Sequence, residues 1–241
     1  MVKKYVLGVG VMFFVFCFAL STKAEEGLAG WWKFDEGSGE ILHDSSGNGN
    51  DGKIYGATWV KGKTACALLF DHKDDYVNCG NSTSLQIDGP LTITTWVKVP
   101  RVFHGGMIVS KYVWTLILEE NYVRSENRTA RNDDWFWVYP PSRVPVDKWS
   151  YIALVYSIEN EEITAYFNGE RTFSQEWLEG GIGGVVTPNL YFGSENGTQR
   201  WFSGFIGETK IYNRALSAEE IKTNYHQEEK TKDESLTPVI P

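Results

Sequence analysis

Trp135-Phe-Trp-Val-Tyr139 is the segment whose residue types point most directly to a ligand. In an extended strand, successive side chains face opposite ways. Trp135, Trp137 and Tyr139 therefore share one face, and Phe136 and Val138 the other. Sugar rings present flat C–H faces that stack on aromatic rings while polar neighbours read the hydroxyls. Asn132, Asp133 and Asp134 precede the segment, and Arg143 follows the Pro140-Pro141 turn. Trp114, Trp177 and Trp201 are further stacking candidates, the last two in Gly-rich or polar surroundings. A packed sheet buries one of its faces, so the larger aromatic set is either ligand platform or core. The residue pattern leaves both open.

A second group is rich in oxygen. Asp44-Ser-Ser-Gly-Asn-Gly-Asn-Asp-Gly52 offers the side chains of Asp44, Asn48, Asn50 and Asp51, with glycines that let carbonyls converge. Asp35 and Glu36 end the segment before it. Hard cations such as calcium take such oxygens, although Asp and Asn-Gly steps also build plain turns. Catalytic groupings are missing. Asp35-Glu36…Glu40 and Glu159-Asn-Glu-Glu162 lie in turn sequences and not on a strand face. The four histidines, at 43, 72, 104 and 226, lack metal-ligand spacing, and neither a Gly-x-Ser-x-Gly elbow nor a phosphate loop occurs. The expectation is a non-enzymatic chain.

The elements that must position these residues are mostly strands. Alternation marks Ala29–Phe34, Lys53–Val60, Cys66–Phe70, Tyr76–Cys79, Leu91–Val99, Met107–Lys111, Trp114–Leu118, Trp135–Tyr139, Trp149–Tyr156, Ile163–Phe167, Asn189–Gly193 and Gly204–Tyr212. Asn168-Gly169 is a hairpin turn. One helix is expected, opened by the capping box Ser217…Glu220, with Ala218, Ile221 and Tyr225 on one face. Many short strands and one helix mean an all-β, two-sheet antiparallel sandwich.

The ends read differently. Residues 1–24 combine Lys3 and Lys4, an apolar run and a small-residue end, as a secretory signal peptide does. The run is too short to span a bilayer, so no membrane span is expected after cleavage at Ala24. The folded domain is expected over 25–226 and a disordered tail over 227–241. Cleavage removes three lysines and no acid, taking the formal charge from -8 to -11. So acidic a chain is a poor partner for nucleic acid. Export also exposes Cys66 and Cys79 to oxidant. If Cys66–Phe70 and Tyr76–Cys79 form a hairpin, the two face each other and bridge; one register step out, they stay free.

Several motifs resemble those of bacterial laminin-G-like, concanavalin A-like jelly-roll domains, in the same order over Gly27 to Tyr225. They are Gly30-Trp-Trp-Lys-Phe-Asp-Glu-Gly-Ser-Gly39, the Asp44–Gly52 loop, Ala67-Leu-Leu-Phe-Asp71 with Asp75-Tyr-Val77, and Leu91-Thr-Ile-Thr-Thr-Trp-Val-Lys98. Lys148-Trp-Ser-Tyr-Ile-Ala153, Tyr166-Phe-Asn-Gly169 and the run from Phe205 into Asn213-Arg-Ala-Leu-Ser-Ala-Glu-Glu-Ile221 complete the set. The resemblance implies a jelly roll and a structural calcium near the Asp44 loop, with Glu208 as the remaining acid because Gly207 stands where the family has Asp. It also implies that Trp31, Trp32, Trp96 and Trp149 are packing residues. Since the likeness is to bacterial domains, the sequons at Asn81, Asn127 and Asn196 are read as accidental. The function expected is a secreted, non-catalytic module binding a glycan or glycosylated surface. The alternatives are a protein-adhesion module or a polysaccharide hydrolase or lyase. Nothing in the sequence sets an oligomeric state.

Overall fold

The structure is a computed structural model and describes residues 25–63, 65–101, 105–128, 135–176 and 188–230. The expected signal segment, Asn132 to Asp134, Trp177 and the chain beyond Lys230 lie outside the described residues.

Two antiparallel sheets face each other. The first runs β14 (Glu170–Glu176), β13 (Glu162–Phe167), β12 (Trp149–Ser157), β7 (Leu91–Lys98), β16 (Ser203–Tyr212), β5 (Cys66–Asp71) and β4 (Thr58–Lys61). The edge of β16 away from β7 is shared: Ser203–Ile206 pair with β5, and the later residues with β1 (Leu28–Trp32). The second sheet runs β11 (Trp135–Val138), β10 (Tyr122–Arg128), β9 (Thr115–Glu119), β8 (Gly106–Ser110), β15 (Tyr191–Phe192), β6 (Tyr76–Asn78), β3 (Gly52–Tyr55) and β2 (Ile41–Leu42).

The chain changes sheet repeatedly along its length, in several places between one strand and the next. Lys53–Val60, expected as one strand, divides into β3 in one sheet and β4 in the other. The crossing passes Gly56, at φ 75, where an added Cβ would lie 2.1 Å from Asp75 Oδ1. Only glycine fits there. The same crossing occurs between β5 and β6, which corrects the hairpin expected for Cys66 and Cys79. The two strands lie in opposite sheets, not side by side, and both cysteines are free thiols.

Between the sheets lies one large core that includes Trp32, Phe34, Phe70, Trp114, Phe192 and Phe202. A second cluster, with Trp96, Tyr151, Tyr212, Leu216 and Ile221, fills the outer side of the first sheet beneath helix α1 (Ala218–Lys230). The capping box forms as expected: the Ser217 N–H donates to Glu220 Oε2 at 2.8 Å, and the Glu220 N–H to Ser217 Oγ at 3.3 Å. Ile221 is buried, but the inward face continues through Asn224 and Glu228 while Ala218 is exposed. The helix thus takes in residues 227–230, expected in the tail. Asn168 and Gly169 both have positive φ, 50 and 80, as a two-residue hairpin turn requires.

Candidate ligand-binding face

β11 is an edge strand, and its alternation settles which aromatic set faces out. Val138 is fully buried, while Trp135, Trp137 and Tyr139 are 39%, 49% and 52% exposed. Trp137 lies opposite Glu126 and Trp135 opposite Arg128 on β10. The outer side chains of β10 support these rings. Arg124 lies 4.6 Å from the Tyr139 ring centre and pairs with Glu119 at 2.6 Å. Arg128 lies 5.5 Å from the Trp135 ring and 5.0 Å from that of Tyr112, whose hydroxyl accepts its Nη1–H at 2.7 Å. Trp135 and Tyr112 meet edge to face, 5.6 Å apart. Guanidinium groups beneath aromatic faces hold the rings in place while leaving them open to water.

A second aromatic row crosses the same sheet further along. Tyr55 and Tyr76 stack at 4.5 Å, and Tyr76 lies 6.1 Å from both Tyr191 and Trp201. Trp201 is half-buried in this row rather than part of the β11 patch. Between the two rows, Arg200 grips Glu126 through both Nη atoms, at 2.5 and 2.8 Å, and this carboxylate keeps the guanidinium firmly charged.

Trp114, expected as a stacking residue, is not on this face. It is fully buried in the core between the sheets. Tyr112, missed from sequence, takes the exposed place two residues earlier. It sits at φ 64 in the tight connection expected between Met107–Lys111 and the next strand, where nothing in the residue types marks it as exposed. Tyr191 was hidden inside an expected strand of which only two residues pair.

The oxygen-rich loop is filled from within. Asp44 Oδ1 accepts the N–H groups of Trp31 and Ser46 at 3.0 and 2.9 Å; Oδ2 accepts Ser46 Oγ–H at 2.8 Å and the Asn50 N–H at 2.9 Å. Those four bonds use the carboxylate's acceptor sites. Asn48 and Asn50 turn their N–H groups toward the Ala29 carbonyl, and Asn50 Oδ1 accepts from Ser82 and Ser84. Glu208 accepts the Trp31 indole N–H at 2.7 Å and lies 4.0 Å from Lys210 Nζ. Asp35 makes its influence felt on Glu208, whose pKa burial raises. Of the oxygens expected as calcium ligands, both of Asp44, Asn50 Oδ1 and Glu208 Oε1 are engaged by protein N–H and O–H groups.

Helix α1 completes a buried charge cluster that sequence reasoning also missed. Lys210 Nζ lies 3.1 Å from Glu228 Oε1 and 3.8 Å from Glu25 Oε2. Glu228 accepts the Trp96 indole N–H at 2.7 Å. Its carboxyl is pushed up to about 7, mainly by burial and then by the neighbouring Glu208.

Solved structures with the same fold include the binding domain of a Paraclostridial mosquitocidal protein, at 16% identity and TM-score 0.68. The match covers 83% of this chain and 52% of that one. The binding domain of botulinum neurotoxin serotype D matches at 14% identity and TM-score 0.65, over 83% and 52%. This chain thus spans about half the length of those toxin binding domains. Domain 4 of the extracellular arabinanase AbnA from Geobacillus stearothermophilus matches at 20% identity and TM-score 0.59, over 83% of this chain and 98% of that domain. No curated protein matches the sequence. The model of the concanavalin A-like lectin/glucanases superfamily, in its laminin-G-like form, matches residues 71–222. With two antiparallel sheets closed over one core, the chain belongs to that family as a laminin-G-like jelly roll.

Proposed function

We propose that this protein is an exported, non-catalytic module that binds glycan on the outer face of β11. The observation carrying the reading is the exposure of Trp135, Trp137 and Tyr139 around a fully buried Val138. Three large rings kept in water on one short strand are costly unless they meet a partner. Their flat faces and the neighbouring arginines suit sugar rings better than an apolar groove would. The fold allows such a use: the AbnA domain is described in complex with arabinotriose, and the toxin relatives are binding domains. Export rests on the signal-like character of residues 1–24. Among the described residues, no helix is long and apolar enough to cross a membrane.

Non-catalytic action is supported by how the closely set acids are engaged. Glu208 and Glu228 flank Lys210 beneath α1 and accept indole N–H groups, and in the Asp71, Asp74, Asp75 cluster after β5, Asp71 is paired with Lys73 while Asp75 accepts the Asp71 N–H. The test is a glycan array followed by titration of Trp135→Ala and Trp137→Ala. Loss of roughly tenfold in affinity at each, with melting unchanged, supports the reading. An array on which the intact protein retains no glycan contradicts it and favours protein recognition. Release of reducing sugar from a polysaccharide would contradict the non-catalytic part.

A further inference from the structure

A cleft of about 230 Å³ opens between the two aromatic rows. Tyr112 lines one side and Tyr191 the other, with Ser110, Asn189, Glu195 and Asn196 among the remaining lining residues. Its volume lies below the roughly 300–1,000 Å³ of pockets for drug-sized molecules, so it suits a single ring. Two aromatic walls with amide and carboxylate groups between them match the chemistry of a sugar: stacking for the C–H faces, acceptors and donors for hydroxyls.

The walls are held by an unusual device. Lys111, next to Tyr112, is fully buried, and its ammonium donates to Asn81 Oδ1 at 2.5 Å and to the Pro188 carbonyl at 2.6 Å. Pro188 itself lines the cleft. Lys111 therefore ties the Pro188–Asn189 wall to the Tyr112 wall. Burial lowers its pKa to about 8, a cost that the fold bears at this position. Tyr112 adds a second cost, a left-handed backbone (φ 64) at a non-glycine residue. Strain of this kind persists where the surroundings enforce it, and it clusters at ligand sites.

We propose that the cleft between Tyr112 and Tyr191 is a subsite for one ring of a neutral glycan, with Asn189, Glu195 and Asn196 reading its hydroxyls and the chain continuing over Trp135. This rests on the glycan reading above and narrows it. Continuity follows from the contact of Tyr112 with Trp135. Neutrality follows from charge. Glu195 presents a carboxylate at the cleft, and the chain carries a net -8. The nearby Arg124 is paired with Glu119, and Arg200 is shared between Glu126 and, at 3.9 Å, Glu195 itself. A uronate or sulfated sugar would meet the Glu195 carboxylate there, and would compete for Arg200 with the two carboxylates already on it.

The test titrates the full protein with neutral gluco-, xylo- and arabino-oligosaccharides and with uronate-containing counterparts, in the intact sequence and in Tyr112→Ala, Glu195→Gln and Trp137→Ala. Glu195 lies in a surface turn, so Glu195→Gln keeps the test valid even if Tyr112→Ala folds poorly. The expected result is binding of a neutral series only, weakened roughly tenfold by Tyr112→Ala and several-fold by Glu195→Gln. If Trp137→Ala weakens binding while Tyr112→Ala and Glu195→Gln bind as the intact protein does, the subsite is wrong and the glycan reading stands. Preference for the uronate series, strengthened by Glu195→Gln, overturns the neutral class. Absence of binding to every sugar by the intact protein overturns both readings.

Discussion

Asp44 illustrates how one carboxylate can act as a knot in its loop. Its two oxygens gather four donors from Trp31, Ser46 and Asn50, so the loop closes on hydrogen bonds. Asp44→Ala strands those donors and is expected to lower stability by roughly 1–3 kcal/mol, read from denaturant unfolding. With the loop closed on its own hydrogen bonds, a chelator should leave the melting midpoint of the intact protein where it was; a fall of several degrees would establish a calcium role. The sequence displays donor atoms but not which way an Asn amide turns, and Asn48 and Asn50 turn N–H groups inward. The tryptophans divide on similar grounds. Trp114→Ala empties core volume and should cost about 3–5 kcal/mol, whereas the exposed Trp137→Ala should change stability by about 0.5 kcal/mol or less. Thermal melts of the two variants side by side check this, and equal losses would contradict it.

Strand alternation made most of the sandwich legible, because each strand buries one face. β10 escaped notice since its outer side chains are Tyr122, Arg124, Glu126 and Arg128, and two of its three buried positions are Ser125 and Asn127. The apolar half of the signal was absent. Sheet membership was also invisible: β5 and β6 follow each other closely yet lie in opposite sheets. Free thiols there predict the same melting curve with and without reductant; a drop on reduction would mean a bridge. Helix α1 carries a pH signature. Glu228, with Glu208, Lys210, Glu25 and Lys63 around it, has its pKa raised to about 7 in the folded state. Unfolded, it ionises near 4.5. Between those values the folded state binds more protons, so stability is complete at the low end and falls as pH rises through about 7. Glu220, lowered to about 2 by Arg214, acts only at more acidic pH and with the opposite slope. Melting temperature should therefore decline from pH 5 to pH 8, and Glu228→Gln should flatten the decline. A profile that rises over this range in the intact protein would contradict the assignment.

At the scale of the whole molecule, the jelly roll brings together residues that local pattern cannot connect. Tyr112 and Tyr191 come from distant segments and line one cleft because β15 pairs with β8. The β11 platform was readable as a choice between two faces, and the packing of Val138 into the core decides that choice. Its use was not readable, because one sandwich serves many ligands and only assembled surfaces separate them. The acidic balance makes the molecule a poor partner for nucleic acid but says nothing of sugars. The most direct measurement is the affinity of the intact protein and of Trp135→Ala with Trp137→Ala for immobilised glycan, read together with their melting temperatures. Glycan retention lost in the double variant at unchanged melting temperature is the result expected. Retention unchanged with a lowered melting temperature would show that the aromatic face serves folding, and would contradict the account.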